Sequence, residues 1–297
     1  MIRLGVIGGS GLYSIEGLSN IHEKKVETPY GTPSDAFIIG ELEGREIVFL
    51  PRHGRGHTLL PSELNHQANI CAMKMLGVTH ILSISAVGGL KEETAPRDVV
   101  IVDQYFDRTK RPGTDHTFFG EGIVAHIAFA DPTCPALSKL AAGAAELAIA
   151  TSDVPDRKVH HGGTYVNMEG PAFSTVAESN FYRSLGFDVI GMTNLAEAKL
   201  AREAELCYCT AAMVTDYDCW HPEHDSVTLE LIIGNLNANV ALAKDIIRQV
   251  ALKLDLLAAS ECSCREAIAC AIITSRDAMP PETVRKMQPI IGKYIKA

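Results

Sequence analysis

Two aspartates stand one residue apart at the end of an apolar run: Leu206 to Val214 leads into Thr215-Asp216-Tyr217-Asp218-Cys219-Trp220. A run rich in Val, Met, Ala and Cys reads as a buried strand, where a charge persists only if something offsets its desolvation. Residues i and i+2 of an extended chain point to one side, so the two carboxyls are expected to aim together. Such a pair can grip a planar edge that carries donors, such as a ring nitrogen beside an amino group. Asp is also common where strands turn, and the segment alone leaves both readings open.

Other candidate strands end in residues suited to an anion. Gly8-Gly9-Ser10-Gly11 offers backbone donors, one hydroxyl and little bulk. It lacks the Gly-x-Gly-x-x-Gly spacing of a dinucleotide loop, and no Gly-Lys-Ser/Thr follows as in a P-loop. Pro51-Arg52-His53-Gly54-Arg55-Gly56-His57 supplies guanidinium forks, and its glycines permit close backbone approach. Ser85-Ala86-Val87-Gly88-Gly89 and Gly191-Met192-Thr193-Asn194 add two more hydroxyls. Read together, Ser10, Ser85, Thr193 and Arg52 form a cup for one phosphate.

The elements that must position these residues alternate along the chain as short β-rich and helical runs, an α/β pattern in which ligands bind at the carboxyl ends of strands. Strands are expected at Leu4–Gly8, Ala36–Gly40, Glu46–Pro51, His80–Ser85, Asp98–Val102, Gly163–Met168, Asp188–Met192 and Leu206–Val214. Ser62 can cap a helix over Glu63–Leu76, Thr175 and Glu178 form a capping box, and Asn194 with Glu197 starts a helix over Ala196–Glu205. A longer amphipathic segment runs from Val227 to Leu257.

At 297 residues and 46% hydrophobic composition the chain has ample material for a folded core. A net charge of -9 without clustered Lys and Arg argues against nucleic-acid binding, and no membrane span is seen. The opening Met1–Gly8 is too short and too broken for a signal segment, so a cytoplasmic protein is expected. Cys71, Cys207 and Cys209 lie in apolar segments and read as core thiols. Cys262-Ser263-Cys264 lies in a polar stretch as a reachable thiol pair. Neither Cys-x-x-Cys nor Cys-Cys-His-His spacing is present, so no metal is expected.

Five motifs carry a family resemblance: Gly8-Gly9-Ser10-Gly11, Arg52-His53-Gly54-Arg55, Asn167 to Ser174, Gly191-Met192-Thr193 and Thr215 to Trp220. From Ile2 to about Val250 the chain resembles the purine nucleoside phosphorylase superfamily, and within it the 5'-methylthioadenosine phosphorylases. The resemblance implies a single-domain phosphorylase-type fold, a central twisted mixed β-sheet surrounded by helices. Residues 1–257 would form that domain, and 258–297 a helical extension packed on it with the Cys-Ser-Cys pair. It implies phosphate-dependent cleavage of S-methyl-5'-thioadenosine to adenine and 5-methylthioribose 1-phosphate, with phosphate as co-substrate and no cofactor. Ser10, Arg52, His53, Ser85, Thr193 and the Ala86 amide would hold phosphate. Phe173, Ser174, Asp216 and Asp218 would hold the base. Met192 would lie against the ribose, and Val227, Leu229, Ile232 and Ile233 would wall the methylthio pocket. His126 would reach that pocket from a neighbouring subunit, which implies a homo-oligomer, a trimer or a dimer of trimers. The Cys-x-Cys is similar to one that takes part in disulfide chemistry in some thermophilic relatives.

Chemistry supplies reasons of its own. Breaking the bond from sugar to purine builds positive charge on the sugar and negative charge on the base. Phosphate can neutralise the first, and a protonated carboxylic acid near N7 the second, which requires a raised pKa. Asp216 is the expected acid and Asp218 the acceptor of 6-amino hydrogens, although the two roles could be exchanged. A carboxylate there suits an amino purine better than a 6-oxopurine. The competing expectations are a broader phosphorylase acting on adenosine, inosine or guanosine, and a non-catalytic thiol redox or metal-binding module.

Overall fold

The computed structural model describes residues 2–296 apart from 10, 13, 111–112, 153–155, 222–228, 259 and 261, and leaves out the side chains of 113–114 and 229–233. Its strands are β1 (Leu4–Gly8), β2 (Ser19–Lys24), β3 (Phe37–Leu42), β4 (Arg45–Pro51), β5 (His80–Gly89), β6 (Val99–Val102), β7 (Gln104–Arg108), β8 (Val159–His161), β9 (Thr164–Met168), β10 (Val189–Gly191) and β11 (Cys207–Asp216). The helices are α1 (His66–Met75), α2 (Pro135–Ala150), α3 (Val176–Ser184), α4 (Asn194–Glu203), α5 (Leu229–Leu252), α6 (Pro281–Lys286) and α7 (Gln288–Ile291).

One mixed sheet holds all of these strands in a single domain. Its main path is β2-β3-β4-β1-β5-β10-β9-β7, and β11 joins β5 to β6, which in turn pairs with β8. The strands β4, β1, β5 and β11 are parallel, whereas β10 meets β5 antiparallel. Both faces are covered, so the central strands are buried throughout rather than alternating with solvent. In β11, Cys207, Cys209, Ala211 and Met213 face a core built with α2 and α5, while Tyr208 faces the core of α1, α4 and α7. Ile268, Met279, Val284, Met287 and Ile291 of the C-terminal segment belong to that second core.

Each strand read from sequence is present, with ends shifted by a few residues. Three strands escaped that reading. All six residues of β2 are exposed at the sheet edge, β8 has three residues, and β7 is mostly polar. None carries an apolar signal of its own. The Ala-rich α2 was also missed, because its apolar residues do not confine themselves to one stripe. Two helix starts are corrected. Ser62 lies in a 3-10 turn, and α1 begins under Asn65, whose side-chain oxygen accepts the Ala68 N–H at 2.9 Å. The α4 helix begins at Asn194 after Thr193, two residues earlier than expected. The Thr175–Glu178 capping box opens α3 as expected, with both reciprocal bonds formed. Among the described residues, no helix is long and apolar enough to cross a membrane.

Candidate active site

The β5 strand organises the site because its partners change along its length. β11 follows one edge from His80 to Gly88. On the other edge β1 pairs only as far as Ser83, and β10 begins at Gly88. Among the described pairings, Ile84–Val87 therefore has no strand partner on that edge. Ala86 is the one exposed residue of an otherwise buried strand, so backbone donors face an opening there. The ends of β1 and β4 flank the opening, with Gly8 opposite Pro51 and the Arg52 N–H on the Gly8 carbonyl at 2.9 Å.

Arg52 reaches into the gap and donates from Nη1 to the Ile84 carbonyl at 3.0 Å. It is buried, and Nε and Nη2 clasp the two carboxylate oxygens of Glu197 on α4. Burial, the largest single influence, would raise the Glu197 pKa, but the charge and hydrogen bonds of Arg52, with His66 and Ser83, together hold the carboxyl below its ordinary value. Ser83 and Tyr208 hydroxyls donate to the same carboxylate at 2.8 and 2.9 Å. Asn194 Nδ2 reaches the Ser83 and Thr210 hydroxyls at 2.9 and 3.0 Å. Arg52 is thus a fixed cation at the floor of the cup, where losing its partner would cost roughly 3–5 kcal/mol.

Ser85 and Thr193 are buried nearby, and the Thr193 hydroxyl bonds Asn194 Oδ1 at 3.3 Å. Tyr165 is fully buried, and Ser85, Arg52 and the Thr193 backbone all act on its hydroxyl. That hydroxyl fills the space over Gly191, where an added Cβ would meet it at 1.9 Å. The His53 ring stacks on His57 at 4.4 Å, and its Nδ1 faces the Leu59 carbonyl at 2.9 Å. Burial pushes His53 down to about 4, so the ring is neutral at pH 7 and, with Nδ1–H donated, presents Nε2 as an acceptor. Ser10 lies outside the described residues.

Three residues along β5 from Ser85, roughly 10 Å by strand rise, Gly88 faces the aspartate pair. A Cβ there would stand 3.1 Å from Asp216 Oδ1 and 3.3 Å from Asp218 Cβ. Asp216 ends β11 just after a register shift that leaves Thr215 between Val214 and the Asp216–Gly88 pair. Asp218 has φ 52°, so the carboxyls meet through a left-handed turn rather than along an extended strand, a correction to the sequence reading. The Asp218 N–H donates to Asp216 Oδ1 at 2.8 Å, and the Thr215 hydroxyl lies 2.6 Å from Oδ2 and 3.1 Å from the Val87 carbonyl. Burial, with a smaller contribution from Asp218, raises Asp216 to about 6. Burial raises Asp218 as well. Trp220 anchors the turn by donating from Nε1 to the Gly89 carbonyl at 2.8 Å, under the Arg183 guanidinium.

Phe173 is 64% exposed, and the Ser174 carbonyl accepts from the Cys219 thiol at 3.3 Å, which ties this loop to the aspartate turn. Met192 packs its sulfur against Gly170, and its carbonyl accepts from Asn167 Nδ2 at 3.3 Å. Val227 lies outside the described residues. Leu229, Ile232 and Ile233 belong to α5, but their side chains are likewise outside the description. His126 is exposed, held by its N–H on the Ala271 carbonyl at 2.9 Å, and no described contact joins it to the aspartates or to Arg52.

The sequence reading missed Glu197, Ser83, Asn194 and Tyr165 as members of the site. Glu197 was read as a helix-start acid, yet it shares the buried face of α4 with Asn194, Leu200 and Ala201. A carboxylate on an apolar stripe was the available signal.

Residues 3–251 match the sequence model of the Phosphorylase superfamily. The chain is 56% identical over 293 residues to the S-methyl-5'-thioadenosine phosphorylase of Gloeobacter violaceus, covering 98% of this chain and 96% of that one. Identity to the enzyme of that name from Geobacter sulfurreducens is 55% over 292 residues, covering 98% and 99%. A solved methylthioadenosine phosphorylase from an antarctic soil metagenomic library superposes with a TM-score of 0.89 at 45% identity, covering 97% and 98% of the two chains. A mutant adenosine/methylthioadenosine phosphorylase from Schistosoma mansoni, solved with methylthioadenosine, gives a TM-score of 0.78 at 34% identity, covering 88% and 93%.

Proposed function

The chain belongs to the phosphorylase superfamily, and from that premise we propose that it cleaves S-methyl-5'-thioadenosine with phosphate to give adenine and 5-methylthioribose 1-phosphate. One observation carries the reading: a buried carboxyl raised to about 6 ends β11 beside Gly88 of β5, the strand whose open row of backbone donors lies above a fixed guanidinium. The first can protonate a leaving base, and the second can hold an anion about one ribose away.

Phosphate would sit over the β5 gap, held by the Ala86 amide, the hydroxyls of Ser10, Ser85 and Thr193, and the charge of Arg52. Neutral His53 would accept a hydrogen bond at Nε2 from the monoprotonated anion, which keeps its proton. A phosphate oxygen forms a bond to C1' as the bond from C1' to purine N9 breaks, and the bonding pair leaves with the base. The Asp216 proton passes to N7, so adenine departs neutral and Asp216 becomes a carboxylate. Thr215 accommodates both states, because its hydroxyl can turn between Asp216 Oδ2 and the Val87 carbonyl. Asp218 would accept the 6-amino hydrogens, Phe173 and Ser174 would cover the base, and Met192 would lie against the ribose. The 5' group would meet Val227, Leu229, Ile232 and Ile233, with His126 supplied by a neighbouring subunit. No cofactor enters this chemistry.

Initial rates of base release, with and without phosphate, test the reading. Adenine should form from methylthioadenosine, only with phosphate, and faster than from adenosine. Faster release of hypoxanthine from inosine would overturn the substrate assignment, and phosphate-independent release would overturn the mechanism.

A further inference from the structure

Four cysteines distant in sequence meet at one point away from the aspartate pair. The sulfurs of Cys134, Cys207, Cys262 and Cys264 all lie within 4.8 Å of one another. Cys134 and Cys207 stand 3.5 and 3.6 Å from Cys262. Thiolates placed tetrahedrally at about 2.3 Å around zinc are separated by about 3.8 Å, so the cluster already has the dimensions of a four-sulfur shell. A disulfide pairs two sulfurs at about 2 Å, whereas here each sulfur has three near neighbours.

The fold explains how the set assembles. Cys134 immediately precedes α2, and its N–H is fixed to the Tyr208 carbonyl at 2.8 Å, which lays the start of α2 against β11. Cys207 is the first residue of β11. Cys262 and Cys264 flank the start of a short 3-10 turn, and the Cys264 N–H donates to Cys262 Sγ at 3.3 Å. A backbone amide aimed at sulfur is an outer-shell contact that steadies a ligating thiolate. Cys134, Cys207 and Cys264 are buried among the apolar side chains of the α2/α5 core, and Cys262 is half-buried, leaving a route for an ion. Cys209 lies two residues from Cys207 yet is not among the four, and Cys71, Cys219 and Cys270 also stand apart from them. From sequence only Cys262 and Cys264 are neighbours, which is why ligand spacing gave no sign of the site.

We propose that Cys134, Cys207, Cys262 and Cys264 form a structural tetrathiolate zinc site that fastens the C-terminal segment to α2 and β11. Four protein ligands leave no open position, so the ion has a structural role. Its entry releases the four thiol protons to solvent and leaves a net charge of -2 on the centre, beside which Arg265 follows directly in sequence. The segment beyond Cys264 supplies Ile268, Met279, Val284, Met287 and Ile291 to the second core, so the ion pins that segment where it enters the fold.

The test uses the full chain purified under thiol reductant without chelator, with metal measured by plasma mass spectrometry. About one zinc per chain is expected, falling at least tenfold in the Cys262→Ser/Cys264→Ser variant and unchanged in Cys270→Ser. Stripped wild-type chain reloaded with Co2+ should show thiolate-to-cobalt charge-transfer bands and intense tetrahedral ligand-field bands. This arm decides the matter if the double variant fails to fold. Metal retained by the double variant, absence of both zinc and a cobalt–thiolate spectrum, or disulfides among these four cysteines in the reduced preparation would overturn the proposal.

Discussion

Asp216 is held between opposing influences: burial favours the neutral acid, while the Asp218 amide and the Thr215 hydroxyl favour the anion. Burial prevails, and the shift from 3.8 to about 6 corresponds to about 3 kcal/mol. Because the folded pKa is raised, this stabilisation is fully present below about pH 4 and is lost as pH rises through about 6. Asp216→Asn is neutral throughout. It should match the parent in stability near pH 4 and exceed it by up to about 3 kcal/mol above pH 6, as read by denaturant unfolding at several pH values. Its kcat should fall by a factor on the order of 10² to 10⁴, as for a lost general acid. A constant stability offset at every pH would rule out burial as the origin of the shift. The aspartates were legible in the sequence because charges interrupted an apolar run. Glu197 showed only as a carboxylate on an apolar stripe, and its pairing was not legible, since Arg52 lies 145 positions away and only the fold joins them.

At the scale of elements, the site depends on a strand that changes partners, and on β9 and β10 meeting closely enough to frame the opening. Gly191 on β10 permits that approach, since a methyl group would strike the Tyr165 hydroxyl of β9. Gly191→Ala should destabilise the fold by roughly 1–3 kcal/mol, the usual range for overpacking, and raise the KM for phosphate as Tyr165 moves against Ser85. Tyr165→Ala should relieve part of the stability loss, giving a coupling of about 0.5–3 kcal/mol in a double-mutant cycle. Strictly additive effects would show that the two strands do not meet as described. The cores of β1, β4, β5 and β11 could be read from apolar runs bounded by glycine and polar residues. The gap in β5 could not, because Ile84 to Val87 looks like any buried strand until its neighbours are placed. The turn at Asp218 was hidden for a related reason, since left-handed backbone at a non-glycine residue leaves little trace in composition.

At the scale of the whole molecule, apolar surface gathers beside the aspartate turn. Phe173, Val176, Phe181 and Leu185, on α3 and its flanks, are each about half exposed or more. With His126 expected to act across an interface, the chain should assemble as a trimer or a multiple of one, and light scattering on active enzyme measures this directly. A fully active monomer would refute that assignment. The -9 charge and the lack of basic clustering already argued against a nucleic-acid partner, whereas the assembly had no signal except resemblance. Trp220 has a further use. It is the only tryptophan in the chain, it stacks 3.6 Å beneath Arg183, and it lies two residues from Asp218. All indole emission from the protein therefore originates beside the aspartate turn, so if that turn holds the base as proposed, the molecule carries its own fluorescent gauge of occupancy without any added label.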